Sequence, residues 1–143
     1  MIVMLVREIM TRRVITIDAD TTLEAARRLL DKHRIRHLPV LANDRLVGMV
    51  SDRDLRSAGA MNGRRTVVGG IMTPMPVTIS SDTRVEDAAR ILLDRKIGGL
   101  PVVDGETLAG IVSGDDLLRA LVAVVETATL ERISVELTGV GDA

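Results

Sequence analysis

With 143 residues, 46% of them apolar and 27% charged, the chain suits one compact domain or two small halves sharing a core, and its composition is not that of a disordered protein. A formal net charge of −1 gives no electrostatic reason to expect nucleic acid or an anionic membrane as partner. Having no Cys excludes disulfides, thiolate metal sites and thiol nucleophiles, and having no Phe, Tyr or Trp means that a bound base must lie between aliphatic side chains.

The apolar opening, Met1 to Val6, is too short for a signal peptide and lacks a basic flank, and no apolar run approaches the roughly 20 residues of a membrane helix. A cytoplasmic protein is expected. Residues 9–56 laid over 71–118 without a gap are identical at 21 of 48 positions. Such repeats are duplicated supersecondary units, each leaving an apolar face for its twin to cover. The expected division is repeat 1 over 7–60, a connecting segment over 61–68, repeat 2 over 69–122, and a final helix end with a strand-like tail over 123–143.

Each copy opens with IMT, at Ile9–Thr11 and Ile71–Thr73. A short strand follows at Val14–Ile17, and Pro76 starts its equivalent. Thr21 with Glu24, and Thr83 with Glu86, have capping-box spacing for a helix start. Leu23, Ala26, Leu29 and Leu30 then form one apolar stripe, as do Val85, Ala88, Ala89, Leu92 and Leu93. HLPVL with RLVGMVS, and GLPVV with TLAGIVS, read as hairpins around Ala42–Asp44 and Asp104–Glu106, and a helix follows each closing Ser. The fold class is therefore α+β, two pseudo-twofold-related β-α-β-β-α repeats. A short helical turn is expected over Val67–Met72.

The last helix carries Leu117, Leu118, Leu121, Val122, Val124 and Val125, more than one apolar stripe, which fits core packing alone or core packing plus a dimer interface. Arg132–Thr138 (RISVELT) alternates apolar and polar as a strand does, and Gly139–Ala143 reads as a frayed end.

The ordered set of IMT, LPV, and GMVSDRDL or GIVSGDDL, found twice between about Arg7 and Leu118, resembles paired CBS domains. The opening MIVMLVREIMTRRVITI and RISVELT are also similar to acetoin-utilisation-type CBS proteins, in which a small ACT domain follows the pair. The resemblance implies two clefts able to hold AMP, ADP, ATP or S-adenosylmethionine. The expected role is regulatory and energy-sensing, with no required cofactor and as a homodimer; with no nucleophile beside a base, no Gly-rich phosphate loop and no metal constellation, no catalysis is expected. The resemblance places the ribose-binding carboxylate at Asp54 and Asp116, with Ser51 and Ser113 facing ribose or phosphate. Adenine pockets of the family use the opening and LPV strands, here Ile15, Leu38, Pro39 and Val40, with Val77, Leu100, Pro101 and Val102 opposite.

The residue chemistry agrees, since one carboxylate can accept both hydroxyls of a ribose diol in charge-assisted bonds and a helix N-terminus favours phosphate. Ser-x-x-Asp is equally a helix-capping pattern, so Ser51 and Ser113 fit either role. The copies differ at Arg36 and His37, which stand where the second has Gly98 and Gly99, and at Arg53, which stands where it has Asp115. Arg and His suit phosphate, and family members place such residues in either cleft; a solvated basic face over Arg27–Arg36 is the alternative. His33 and His37 have no carboxylate at ligand spacing, so no metal site is assigned. Two functions compete: an adenosine-ligand sensor, and a ligand-free scaffold for homodimerisation or protein docking.

Overall fold

The computed structural model describes residues 2–59 and 66–138. In chain order these form α1 (Val6–Ile9), β1 (Ile17–Asp18), α2 (Leu23–His33), β2 (His37–Ala42), β3 (Arg45–Ser51) and α3 (Asp52–Gly59). A 3-10 turn at Val68–Gly70 precedes β4 (Thr73–Pro74), α4 (Val85–Arg95), β5 (Gly99–Asp104), β6 (Thr107–Ser113) and α5 (Gly114–Thr138). The two repeats share one α+β architecture.

The hairpins fold as their turn chemistry directs. β2 and β3 are antiparallel around Asn43 and Asp44, both at positive φ (50° and 62°), the conformation that matches strand twist. β5 and β6 repeat the register, with Leu100 opposite Val112 as Leu38 is opposite Val50. The opening strands are shorter than Val14–Ile17 predicts: Ile17 and Asp18 pair in parallel with Val40 and Leu41, and in the second copy Ile79 alone bridges Val102.

Helix α2 starts one residue later than Thr21 predicts, because Thr22 supplies the cap, its hydroxyl accepting from the Ala25 N–H at 3.1 Å. Before α4 the Thr83 hydroxyl accepts from the Ser80 N–H instead, and Arg84 at the cap position makes no side-chain cap bond. Ala26, Leu30, Ala88 and Leu92 are buried as the stripes predict. Leu93 is exposed, one residue and about 100° of helix turn off the stripe.

The packing exchanges the opening segments between repeats. Val6 and Met10 lie in the second repeat's core with Ala88, Leu92, Leu100, Val102 and Val112. Val68, with Ile71 and Met72 against it, lies in the first repeat's core with Ala26, Leu30, Leu38, Val40 and Val50. The backbone follows the same exchange: the Val6 N–H donates to the Thr83 carbonyl and the Val68 N–H to the Thr21 carbonyl, each at 2.8 Å. Thr11 bonds Ile111 in both directions, and β4 pairs Thr73 with Met49 and Pro74 with Gly48, so one sheet runs β1-β2-β3-β4. Boundaries at 7–60 and 69–122 thus separate sequence copies but not packing units, and Thr66 to Val68 already belong to the exchanged arm.

Glycine makes that exchange possible. A Cβ on Gly110 would stand 2.8 Å from both the Met10 Sδ and the Thr11 carbonyl oxygen, and a Cβ on Gly48 would collide with Met72. The hairpin tips are joined by Arg45 and Glu106 at 2.9 Å, an exposed pair worth less than about 1 kcal/mol.

Arg132–Thr138 is helical, not a strand: α5 runs unbroken for 25 residues, roughly 38 Å. Alternation of Ile133 and Leu137 with polar residues also satisfies an i, i+4 pattern. Extending an existing helix adds a backbone bond per residue without a new nucleation cost. Gly139–Ala143 and the Gly- and Arg-rich residues 60–65 lie outside the described residues. Among those described, no helix is long and apolar enough to cross a membrane.

Candidate functional site

Where β3 gives way to α3, a cleft of about 760 Å³ opens, within the range of small-molecule sites. One wall is the first repeat: Arg36 and His37 at the start of β2, Met49 and Ser51 on β3, and Asp52, Arg53, Asp54 and Arg56 on α3. The other wall comes from the second copy: Thr73 on the exchanged arm, Pro76 and Val77 where the chain returns to its own repeat's core, and Arg95, Lys96, Ile97, Gly98 and Gly99 from the end of α4 to the start of β5.

At the floor the Ser-x-x-Asp motif caps its helix. The Ser51 N–H donates to Asp54 Oδ2 at 2.8 Å and the Asp54 N–H donates to Ser51 Oγ at 3.1 Å, a reciprocal box that satisfies two otherwise orphaned donors. Ser113 and Asp116 repeat it at 2.9 and 3.3 Å. Capping does not exhaust the carboxylate, which offers about four lone-pair sites.

Beyond the box the two motifs diverge. Asp116 is buried, 7% exposed, and also accepts from Ser113 Oγ at 3.1 Å, from Thr11 Oγ1 at 3.2 Å and from Arg119 Nη1 at 3.3 Å. Asp54 is half-buried and, among the described residues, its carboxylate accepts only the one box bond from the Ser51 N–H. Thr73, which corresponds to Thr11, lines the cleft without bonding to Asp54. The first motif presents its carboxylate to the cleft; the second has it enclosed.

His37 sets the width of the cleft. Its ring lies over the second repeat at the two residues that replace Arg36 and His37 there, so a Cβ on Gly98 or Gly99 would stand 3.0 Å from it. Burial pulls its pKa below the ordinary 6.5; Asp54 and Asp52 oppose that and Arg36 reinforces it. The imidazole is therefore held neutral at physiological pH. Asp52 is shifted in the acid direction chiefly by the Arg27 hydrogen bond, which is 2.5 Å long, and Arg56 adds a second contact at 3.0 Å.

Of the residues singled out from sequence, the cleft brings together Arg36, His37, Ser51, Arg53, Asp54 and Val77. Ser113 and Asp116 belong to the pseudo-symmetric position. Val77, from the second copy, lines the same cleft as the first copy's Ser51 and Asp54. Leu38, Val40, Leu100 and Val102 are core residues with no exposed surface, and Pro39 and Pro101 are fully buried, because both faces of these strands are covered. Ile15 packs partly buried against the first repeat's core. Met49, Arg56, Thr73, Pro76, Arg95, Lys96 and Ile97 escaped the sequence reading. For Arg95 and Lys96 the signal was present, since His33 and Arg34 stand at the same offset in the first copy. Among the described residues no group of three or more His, Asp or Glu is placed to hold a metal.

The family model for the CBS domain matches residues 6–60 and again 68–123. The CBS domain pair of protein MJ0100, solved with 5'-methylthioadenosine and S-adenosyl-L-methionine, superposes with a TM-score of 0.80 at 31% identity, covering 85% of this chain and 98% of that one. CBSX2 of Arabidopsis thaliana, solved with AMP, gives 0.75 at 33% identity over 84% of this chain and 97% of its own. AcuB of Vibrio cholerae gives 0.83 at 29% identity, covering 90% of this chain and 99% of that one.

Proposed function

Since the chain belongs to the CBS domain family, as a tandem pair, we propose that it is a regulatory module, without catalysis of its own, that binds an adenosine-containing ligand in the cleft at Ser51–Asp54. One observation carries this reading: the Asp54 carboxylate, held by its capping bonds, faces a cleft with aliphatic Val77, Met49 and Ile97 in its walls. Ribose hydroxyls add to the lone pairs that the Ser51 N–H leaves free. The helix stays capped while the site fills, and the base lies between aliphatic groups. The ligands of MJ0100 and CBSX2 support the chemical class.

Both repeats build the cleft, so a ligand there touches both and stabilises the relative placement that binds it better; that difference in affinity is the whole of its regulatory leverage. Reporting cellular energy state is the role this chemistry fits, and the cytoplasm is the compartment we infer. A homodimer through α5 belongs to the same proposal. Leu118, Leu121, Val122 and Val125 are exposed at i, i+3, i+4, i+7 spacing, one apolar stripe. The stripe also favours the second reading, a scaffold that dimerises without ligand.

Titration calorimetry with AMP, ADP, ATP and S-adenosylmethionine separates the two. Binding by the parent, weakened about 30-fold (~2 kcal/mol) in Asp54→Ala by loss of a charged ribose contact, is the expected result. No binding of any of the four, with an intact dimer in sedimentation, leaves the scaffold.

A further inference from the structure

The charge of the cleft narrows the class of ligand, given that an adenosine compound binds there. Five permanent cations line it, Arg36, Arg53, Arg56, Arg95 and Lys96, against two carboxylates, Asp52 and Asp54. Asp52 is already engaged by Arg27 and Arg56. Arg36, Arg53, Arg95 and Lys96 form no ion pair among the described residues. Four like charges around one concave surface repel one another within a Debye length of roughly 10 Å, and a multivalent anion relieves that repulsion while a cation adds to it.

The cations are also distributed in a useful way. Arg53 is the chain neighbour of the carboxylate that would hold the ribose. Arg95 and Lys96 come from the facing repeat, at the end of α4, with side-chain-free Gly98 and Gly99 beside them. With the ribose at Asp54, the facing wall of the same cleft offers Arg95 and Lys96 to a phosphate chain long enough to cross it.

We propose that this cleft selects adenosine ligands carrying two or three phosphates over those carrying a sulfonium, with Arg95 and Lys96 as the contacts for the terminal phosphates. Neither is a residue on which the repeat pattern depends, and both are exposed.

Calorimetric titration of the full chain with ATP, ADP, AMP and S-adenosylmethionine tests this, alongside the R95Q/K96Q variant, whose unliganded melting temperature should match the parent's. The expected order is ATP and ADP at least about tenfold tighter than AMP, with S-adenosylmethionine weakest. The double variant should lose at least about tenfold for ATP and less than about threefold for AMP. S-adenosylmethionine binding as tightly as ATP, or equal losses for ATP and AMP in the variant, overturns the selectivity while the adenosine reading stands. Failure of all four to bind overturns that reading and this one with it.

Discussion

The imidazole of His37 rests on Gly99, the residue that occupies the position of His37 in the other repeat. The pseudo-twofold relation thus brings a position and its own counterpart into contact, and only one of the two can carry a side chain. A methyl group on Gly99 would stand 3.0 Å from the ring, so the ring must move. Gly99→Ala is expected to cost about 1–3 kcal/mol in urea denaturation. Adding His37→Ala should recover most of that loss, and the non-additivity measured in the double-mutant cycle reports the contact directly.

The half-buried, neutral His37 makes stability depend on pH in a defined direction. Its folded pKa lies below the unfolded value of 6.5, so the unfolded chain binds the proton more readily, and stability falls as pH drops through 6.5 toward the folded value. Denaturation midpoints between pH 8 and pH 5 should fall less in His37→Gln than in the parent. Equal slopes would show that the neutral ring contributes nothing.

Asp116 and Asp54 occupy equivalent places but should not be equivalent in stability. Asp116 serves Ser113, Thr11 and Arg119 from an enclosed position, whereas Asp54 serves the cap alone. Asp116→Ala strands several donors and is expected to cost about 2–3 kcal/mol, Asp54→Ala about 1 kcal/mol. Parallel urea titrations give the ranking; a reversed order would mean that Thr11 and Arg119 are solvated as well without the carboxylate.

Gly110 and Gly48 differ in what their missing Cβ would meet. At Gly48 the obstacle is the Met72 side chain, which can rotate away. At Gly110 it includes the Thr11 carbonyl, fixed by its ladder bonds to Ile111. Gly110→Ala should therefore lower the melting temperature more than Gly48→Ala, and a Met72→Ala background should rescue the Gly48 variant alone.

The stripe on α5 predicts association. Leu121→Glu places a charge among Leu118, Val122 and Val125, and should shift a dimer to monomer in sedimentation without unfolding it, since Leu121 is exposed in the single chain.

Much of this was legible in the residues. The repeat announced two equal halves, Asn43 and Asp44 announced a hairpin, and the pairing of Arg36 and His37 with Gly98 and Gly99 announced unequal surroundings. The exchange of opening segments was not legible, for a specific reason. A shift of 62 relates Met10 to Met72 and Gly48 to Gly110, and that relation holds equally whether each Met packs on its own Gly or on the other. Aligning two copies shows what is equivalent, never what touches. The same blindness hid part of the cleft, because Arg95 and Lys96 line it from the opposite copy. RISVELT failed differently: its alternation was real, but an adjoining helix offered the same residues a cheaper continuation.

The crossed arms also fix an order of events in biosynthesis. Residues 6–11 are synthesised well before Ile111, which bridges Thr11 from 100 residues later. The first repeat, by contrast, can close its core once Val68–Met72 have emerged. A nascent chain therefore completes the first repeat while residues 6–11 still await the second, with Val6 and Met10 unsheltered. Contacts so distant in sequence slow folding, and a ribosome stalled before residue 111 would carry one finished repeat and an apolar segment, Val6 to Met10, without its cover.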